Sequence, residues 1–267
     1  MILMNQALPI VPILLGRQDF VISRCRGKNV LHVGCVDSGL THERFQSGQL
    51  MHLELSKVAN VLWGIDIDAD GIAFLQGLGF RHLVVGDACN LDSIEELRGM
   101  VFDVVVASEV LEHLLNPGLF LDSVKKVMVP GHTELIISVL NAFNITTLIS
   151  LLGNVEYVHP DHNYWFSYTT VTGLLKKMGY EIKEIYCCSF EPTHILPRRL
   201  VFGSNKTNNS IQHLEDSRYH FRWLRRVKVY LRSIPRRCLV RALYKRSSFF
   251  ANCIIVVAVI PKSKALR

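Results

Sequence analysis

The order of apolar and turn-forming segments predicts an α/β fold, a mostly parallel sheet with helices on both faces. Three observations carry that expectation. Short runs of β-branched and apolar residues alternate with helix-spaced segments from Lys28 to Cys187, the pattern of strands joined by crossover helices. Several of these runs are apolar at consecutive positions, as strands buried on both faces are. One of them, Val30-Leu31-His32-Val33, runs into Gly34 and then small or turn-forming residues through Gly39, which is how a strand opening into a ligand-binding loop reads.

A chain of 267 residues is long for one α/β domain and short for two, so one sizeable core with an embellishment is expected. With 49% hydrophobic and 20% charged residues, the composition is globular and excludes a disordered chain. Seven cysteines show no C-x-x-C pair, and only Cys187 and Cys188 are adjacent. Scattered thiols of this kind point to a reducing compartment, the cytoplasm. The apolar start, residues 1–15, lacks a basic lead and is interrupted by Pro9 and Pro12, so it reads as a lead-in packed on the domain and not as a signal. Residues 249–260 are too few to cross a bilayer as a helix, and no transmembrane segment is expected.

The elements follow in order. Residues 43–59 place Phe45, Leu50, Leu53, Leu55 and Val58 in a helical pattern. Val61 to Ile65 forms a second strand closed by Asp66, and 70–78 a helix stopped by Gly79. His82 to Val85 is a third strand ending at Gly86-Asp87-Ala88, 92–98 a short helix, and Phe102 to Ala107 a fourth strand. Pro117 opens a helix that ends before Pro130, and Leu135 to Val139 is strand five. Thr169 or Thr170 caps a helix ended by Gly179, and Tyr180 to Cys187 is strand six.

In such a sheet, ligands bind beyond the carboxyl ends of the strands. Gly34 lets backbone approach a ligand closely. Asp66 stands where an acid meets ribose hydroxyls in nucleoside-binding folds, and Asp87 can accept a hydrogen bond from an exocyclic amine. Glu109 follows strand four and leads Glu109-Val110-Leu111-Glu112-His113. The dinucleotide fingerprint G-x-G-x-x-G is absent after Gly34, which disfavours a pyrophosphate cofactor.

The segments VLHVGCVDSG, WGIDID, GDACNLD, FDVVVASEVLEHL and PDHNYWFSYTTVTGLLKKMGY, in that order and spacing, resemble the class I S-adenosylmethionine-dependent methyltransferases over roughly residues 28–189. The resemblance implies a Rossmann-like seven-stranded sheet whose last strand, Cys253 to Ile260, is antiparallel and lies between the fifth and sixth. It implies S-adenosylmethionine as cofactor, with Gly34 and Cys35 at its methionine part, Asp66 at the ribose, Asp87 and Ala88 at the adenine, and His32, Ile67, Ser108 and Glu109 completing the site. The family usually has an acid at the place of His32 and glycines at Val36 and Ser38, so the loop here is eroded. That erosion also fits a rival, a non-catalytic member serving as an interaction partner through its basic insertion.

Methyl transfer asks mainly for alignment, plus a base when the acceptor is a hydroxyl. Candidates for catalysis are His113, His162 and Glu112, with His159 and Asp161 close by in sequence. Glu109, Glu112 and His113, at i, i+3 and i+4, share one face if helical. This E-x-x-E-H run is similar to the metal site of ubiquinone-pathway O-methyltransferases and small-RNA 3′-end methyltransferases, which implies a divalent cation held by Glu109, Glu112, His113 and His159 or His162. The alternative is local packing with no metal. The aromatic residues of 164–166 either wall the acceptor pocket or staple the loop.

The domain boundaries expected are a lead-in over 1–27, the methyltransferase core over 28–189, a basic, helical insertion over 190–248 and the final core strand over 249–262. Residues 221–246 hold ten Lys and Arg and no Asp or Glu; taking those ten from the net charge of +7 leaves the remainder at −3. Phe221, Leu224, Val227 and Leu231 recur at helical spacing, so the segment reads either as an amphipathic element for an anionic membrane surface or as a solvated flap. Nucleic acid is a weaker reading, since no nucleic-acid module accompanies the charge. The expected acceptor is a hydroxyl on a small, glycan or lipid-linked molecule, and the expected location is the cytoplasm, with peripheral membrane attachment as an option.

Overall fold

A computed structural model describes residues 7–156, 158–189 and 242–262. Along them run β1 (Ile13–Leu15), α1 (Arg17–Cys25), β2 (Asn29–Val33), α2 (Thr41–Gln46), α3 (Met51–Ser56), β3 (Val61–Asp66), α4 (Ala69–Gly77), β4 (Leu83–Val85), β5 (Val104–Ser108), α5 (Pro117–Lys125), β6 (Glu134–Leu140), α6 (Ile145–Leu152), α7 (Tyr168–Lys177), β7 (Glu181–Ser189) and β8 (Cys253–Val259). The strands form one sheet in the order β1-β7-β8-β6-β5-β2-β3-β4. β8 is antiparallel to β6 and β7 and lies between them, as the last strand was expected to. The other pairings are parallel.

Alternation along the strands divides the core between two faces. Leu31, Val33, Val105, Ala107, Leu135 and Ile137 join Phe120, Leu121 and Val124 of α5 and Val171 and Leu175 of α7 in one cluster. Val30, Val104, Val106 and Ile136 pack on the other face against Val21 and Cys25 of α1 and Met51 and Leu55 of α3. Asn141 is structural: its buried amide donates to the carbonyls of Phe249 and Ala251.

Several expectations are corrected. The sheet has eight described strands and not seven, because the lead-in supplies β1 at the edge, where Ile13, Leu14 and Leu15 pair with Cys187, Cys188 and Ser189. Pro12, which argued against a signal there, lends its carbonyl to Cys187 N at 2.9 Å and helps cover an edge that would otherwise stand open. The helix expected over 43–59 is two helices, since Gly48 takes a left-handed φ of 67° after α2. In place of a helix over 92–98 there are two 3-10 segments, Ala88–Ser93 and Glu95–Leu97, with Ile94 extended between them. Side-chain capture explains it: Asp87 accepts from Cys89 N and Ser123 from Leu91 N, competing with an α-helical ladder. The cap of α7 is Ser167, not Thr169 or Thr170; Thr170 completes a capping box from the N3 position. Helix α6, capped by Asn144, was not foreseen.

Most of the insertion expected over 190–248 lies outside the described residues. Of its end, a helical turn over 242–246 is described, with Leu243 and Tyr244 packed on Ile145. Among the described residues no helix is long and apolar enough to cross a membrane.

Candidate active site

Parallel pairing brings the carboxyl ends of β2, β3, β4 and β5 to one edge of the sheet, with Val33 opposite both Ile65 and Ala107 and Asp66 opposite Val85. Gly34, Asp66, Asp87 and Glu109 therefore follow the strand ends along one edge of the sheet. Gly34 has φ 72°, donates to Ile65 O at 2.9 Å, and a Cβ there would meet Val110 Cγ2 at 2.6 Å. Only glycine suits both the dihedral and the space.

Asp66 ties that turn to the end of β3. Its Oδ2 accepts from Val36 N at 2.9 Å and its Oδ1 from Asp68 N at 3.0 Å. Desolvation raises its pKa, and the two backbone donors partly offset this. Beside it the apolar side chain of Ile67 is 76% exposed. Asp87 is exposed and Ala88 half-buried. Ser108 shares a hydroxyl hydrogen bond with Ser138 at 2.8 Å. Glu109 adopts φ 57°, a strained conformation for a residue with a side chain, and is ion-paired to Arg17.

Two expected cofactor residues are placed differently. His32 is buried, and its Nδ1 lies 3.2 Å from Nδ1 of His52; strand alternation turns the ring into the protein, and burial pushes its pKa down. It supports the loop from beneath and does not open onto that edge. The Cys35 thiol is likewise buried among Leu50, Ile72 and Leu75, with its pKa raised by burial, so only its backbone borders the turn.

The E-x-x-E-H run is not a helix. Glu109 breaks the geometry, and His113 N bonds to Val110 O at 3.0 Å in a turn. Glu112 therefore faces inward while His113 faces out. Glu112 is 1% exposed; Oε1 accepts from Leu140 N at 3.4 Å and Oε2 has no partner. Burial raises its pKa to about 7. The expected metal set of Glu109, Glu112, His113 and His159 is thus corrected, because Arg17 and the protein interior hold the two carboxylates. What converges is His113, His159 and His162. Burial, then the neighbouring imidazoles, lower the pKa of His113 and of His162. Of the expected catalytic trio, His113 and His162 meet, with ring centroids 4.5 Å apart, and Glu112 points elsewhere.

The aromatic loop is stapled. Tyr164 donates from its hydroxyl to Leu115 O at 2.9 Å, Phe166 is buried, and Asn141 bridges to Phe166. Sequence reasoning missed Arg17, which α1 buries against Glu109. Its signal was the first charge after an apolar stretch.

A family model described as a methyltransferase domain matches residues 20–185. The ubiquinone biosynthesis O-methyltransferase of Hahella chejuensis is 30% identical over 146 residues, 53% of this chain and 56% of that protein. Its counterpart in Sodalis glossinidius is 26% identical over 147 residues, 53% and 54% respectively. The chain spans about half the length of the curated relatives it matches. A methyltransferase structure from Thermotoga maritima aligns with a TM-score of 0.53 at 11% identity, covering 91% of this chain and 87% of that one, a likeness of fold alone.

Proposed function

The chain belongs to the class I S-adenosylmethionine-dependent methyltransferases, and on that premise we propose that it methylates a hydroxyl of a small-molecule acceptor. The observation that carries the reading is the single edge on which the Gly34 turn, Asp66 and Asp87 open. Those residues fit the cofactor. A carboxylate beside a positive-φ glycine suits a ribose, an exposed isoleucine beside it suits the face of a flat ring, and the G-x-G-x-x-G signature of a pyrophosphate site is absent. Gly34, Asp66, Ile67, Asp87, Ala88, Ser108 and Glu109 would hold the cofactor, with Cys35 contributing backbone and His32 supporting from below. When bound, S-adenosylmethionine supplies a methyl group already activated on a sulfonium.

This chain's residues then have two tasks: to hold the acceptor in line and to help its hydroxyl lose a proton. His113 and His162, whose lowered pKa leaves them neutral at pH 7, are the groups suited to take that proton. Oxygen as the acceptor atom is supported by the names of the curated relatives. A glycan or lipid-linked acceptor is the narrower form of the proposal. It goes with residues 221–246, whose ten uncompensated positive charges would suit a negatively charged membrane surface.

Calorimetry with S-adenosylhomocysteine tests the reading. Micromolar binding is expected; no binding of either cofactor form would favour a non-catalytic interaction protein. Co-sedimentation tests the surface: retention on anionic but not neutral vesicles is expected, and equal retention on both refutes electrostatic docking.

A further inference from the structure

Beyond the carboxyl end of β5, three imidazoles meet from two separate parts of the chain. His113 belongs to the turn after β5, and His159 and His162 to the loop ahead of α7. One nitrogen of each lies within 4.8 Å of the others, and the ring centroids stand 4.5 Å (His113 to His162), 5.3 Å (His159 to His162) and 5.8 Å (His113 to His159) apart. The two segments are fastened together. Glu112 O accepts from Asn163 N at 2.7 Å and Tyr164 N at 3.3 Å, Asn163 Nδ2 donates to His113 O at 2.9 Å, and Tyr164 donates to Leu115 O at 2.9 Å. The imidazoles are thus carried on backbone that is already fixed.

We propose that His113, His159 and His162 form a three-imidazole site for a divalent cation of the zinc class. The donor set selects the ion: neutral imidazole nitrogens suit Zn²⁺, Co²⁺, Ni²⁺ and Cu²⁺, whereas Mg²⁺ and Mn²⁺ take oxygen ligands. This differs from the carboxylate-rich set that the E-x-x-E-H resemblance implies, since Glu109 is engaged by Arg17 and Glu112 faces Leu140 N. Zn–N bonds of about 2.0–2.1 Å bring tetrahedral ligand atoms to roughly 3.4 Å from one another. Closing to that spacing from within 4.8 Å asks only for rotation of side chains at the surface. Three protein ligands leave a fourth position for water or an oxygen of a bound molecule. The Asp161 backbone N–H donates to His159 Nδ1 at 3.3 Å, which helps to hold that ring. A bound cation occupies the lone pairs that proton transfer would use, so zinc loading and a base role are alternative states of one cluster.

The test is zinc titration of the untagged full chain against a chromophoric chelator. A single zinc ion per chain is expected, undisturbed by millimolar Mg²⁺. His113→Ala and His162→Ala should each weaken binding by more than the roughly 10–100-fold that outer-shell changes cost, while Glu109→Gln and Glu112→Gln leave it nearly unchanged, with circular dichroism confirming that each variant folds. No zinc binding, displacement by Mg²⁺, or equal losses in the glutamate variants would overturn the site. Substituting Co²⁺ should give a four-coordinate visible spectrum that azide perturbs; a spectrum indifferent to azide would refute the open position. Zinc binding is read without methyl transfer, so a chain that binds zinc but no S-adenosylhomocysteine sinks the functional reading alone, and the converse sinks this one alone.

Discussion

Replacing Glu112 by glutamine should flatten part of the pH dependence of folding stability. Burial moves this carboxyl from 4.5 to about 7, and unfolding returns it to water. Between those values the folded chain keeps a proton that the unfolded chain gives up. The stabilisation is therefore fully present below about pH 4.5 and is lost as pH rises through 7. At about 1.36 kcal/mol per pKa unit, the loss amounts to about 3 kcal/mol. His32 and His52 act in the opposite sense, being held neutral when folded, with His52 lowered to about 4; they add stability as pH rises towards 6.5. Both proteins carry them, so the difference between wild type and Glu112→Gln isolates the carboxyl. Glutamine keeps an oxygen for Leu140 N and cannot ionise. Urea unfolding at steps from pH 5 to pH 8 should show the variant gaining on wild type by roughly 2–3 kcal/mol. A difference that stays constant across that range would refute the buried carboxyl.

Asp66→Asn should weaken S-adenosylhomocysteine binding by about 1–3 kcal/mol, since a charged acceptor is lost and an amide N–H₂ is turned on the donors from Val36 and Asp68; unchanged affinity by calorimetry would remove the nucleoside from the end of β3. Gly34→Ala forces a side chain into a left-handed dihedral and against Val110, costing about 1–3 kcal/mol in thermal unfolding together with cofactor affinity. A variant as stable as wild type would show that the turn relaxes freely. Ser167→Ala removes the capping box of α7 and should lower stability by about 1 kcal/mol, read from denaturant midpoints; no change would mean that water caps the helix equally well.

The edge proposed for the cofactor was legible because it depends on strand order alone. Once the runs ending at Val33, Ile65, Val85 and Ala107 are parallel neighbours, the residues after them must share an edge. Caps were legible in kind but not in position: Thr170 was singled out and is half of the box, while the capping oxygen belongs to Ser167. The surroundings of Glu109, Glu112 and His113 were not legible. Glu109, Glu112 and His113 have helical spacing, yet the left-handed backbone at Glu109 sends the second carboxylate inward. The partners of His113 come from a loop some fifty residues later, and no local pattern records that meeting.

From its order of residues alone this chain determined a mostly parallel sheet and a glycine turn flanked by two carboxylates, because alternation and turn chemistry act over a few neighbouring residues; the inserted antiparallel last strand was implied by the family resemblance and not by those local patterns. The folded molecule alone decided that a three-residue strand of the lead-in pairs beside β7, that Arg17 claims Glu109, and that imidazoles rather than carboxylates gather beyond β5. Those outcomes depend on which open edge, buried charge or backbone carbonyl a distant segment meets, and such encounters exist only once the layers have packed.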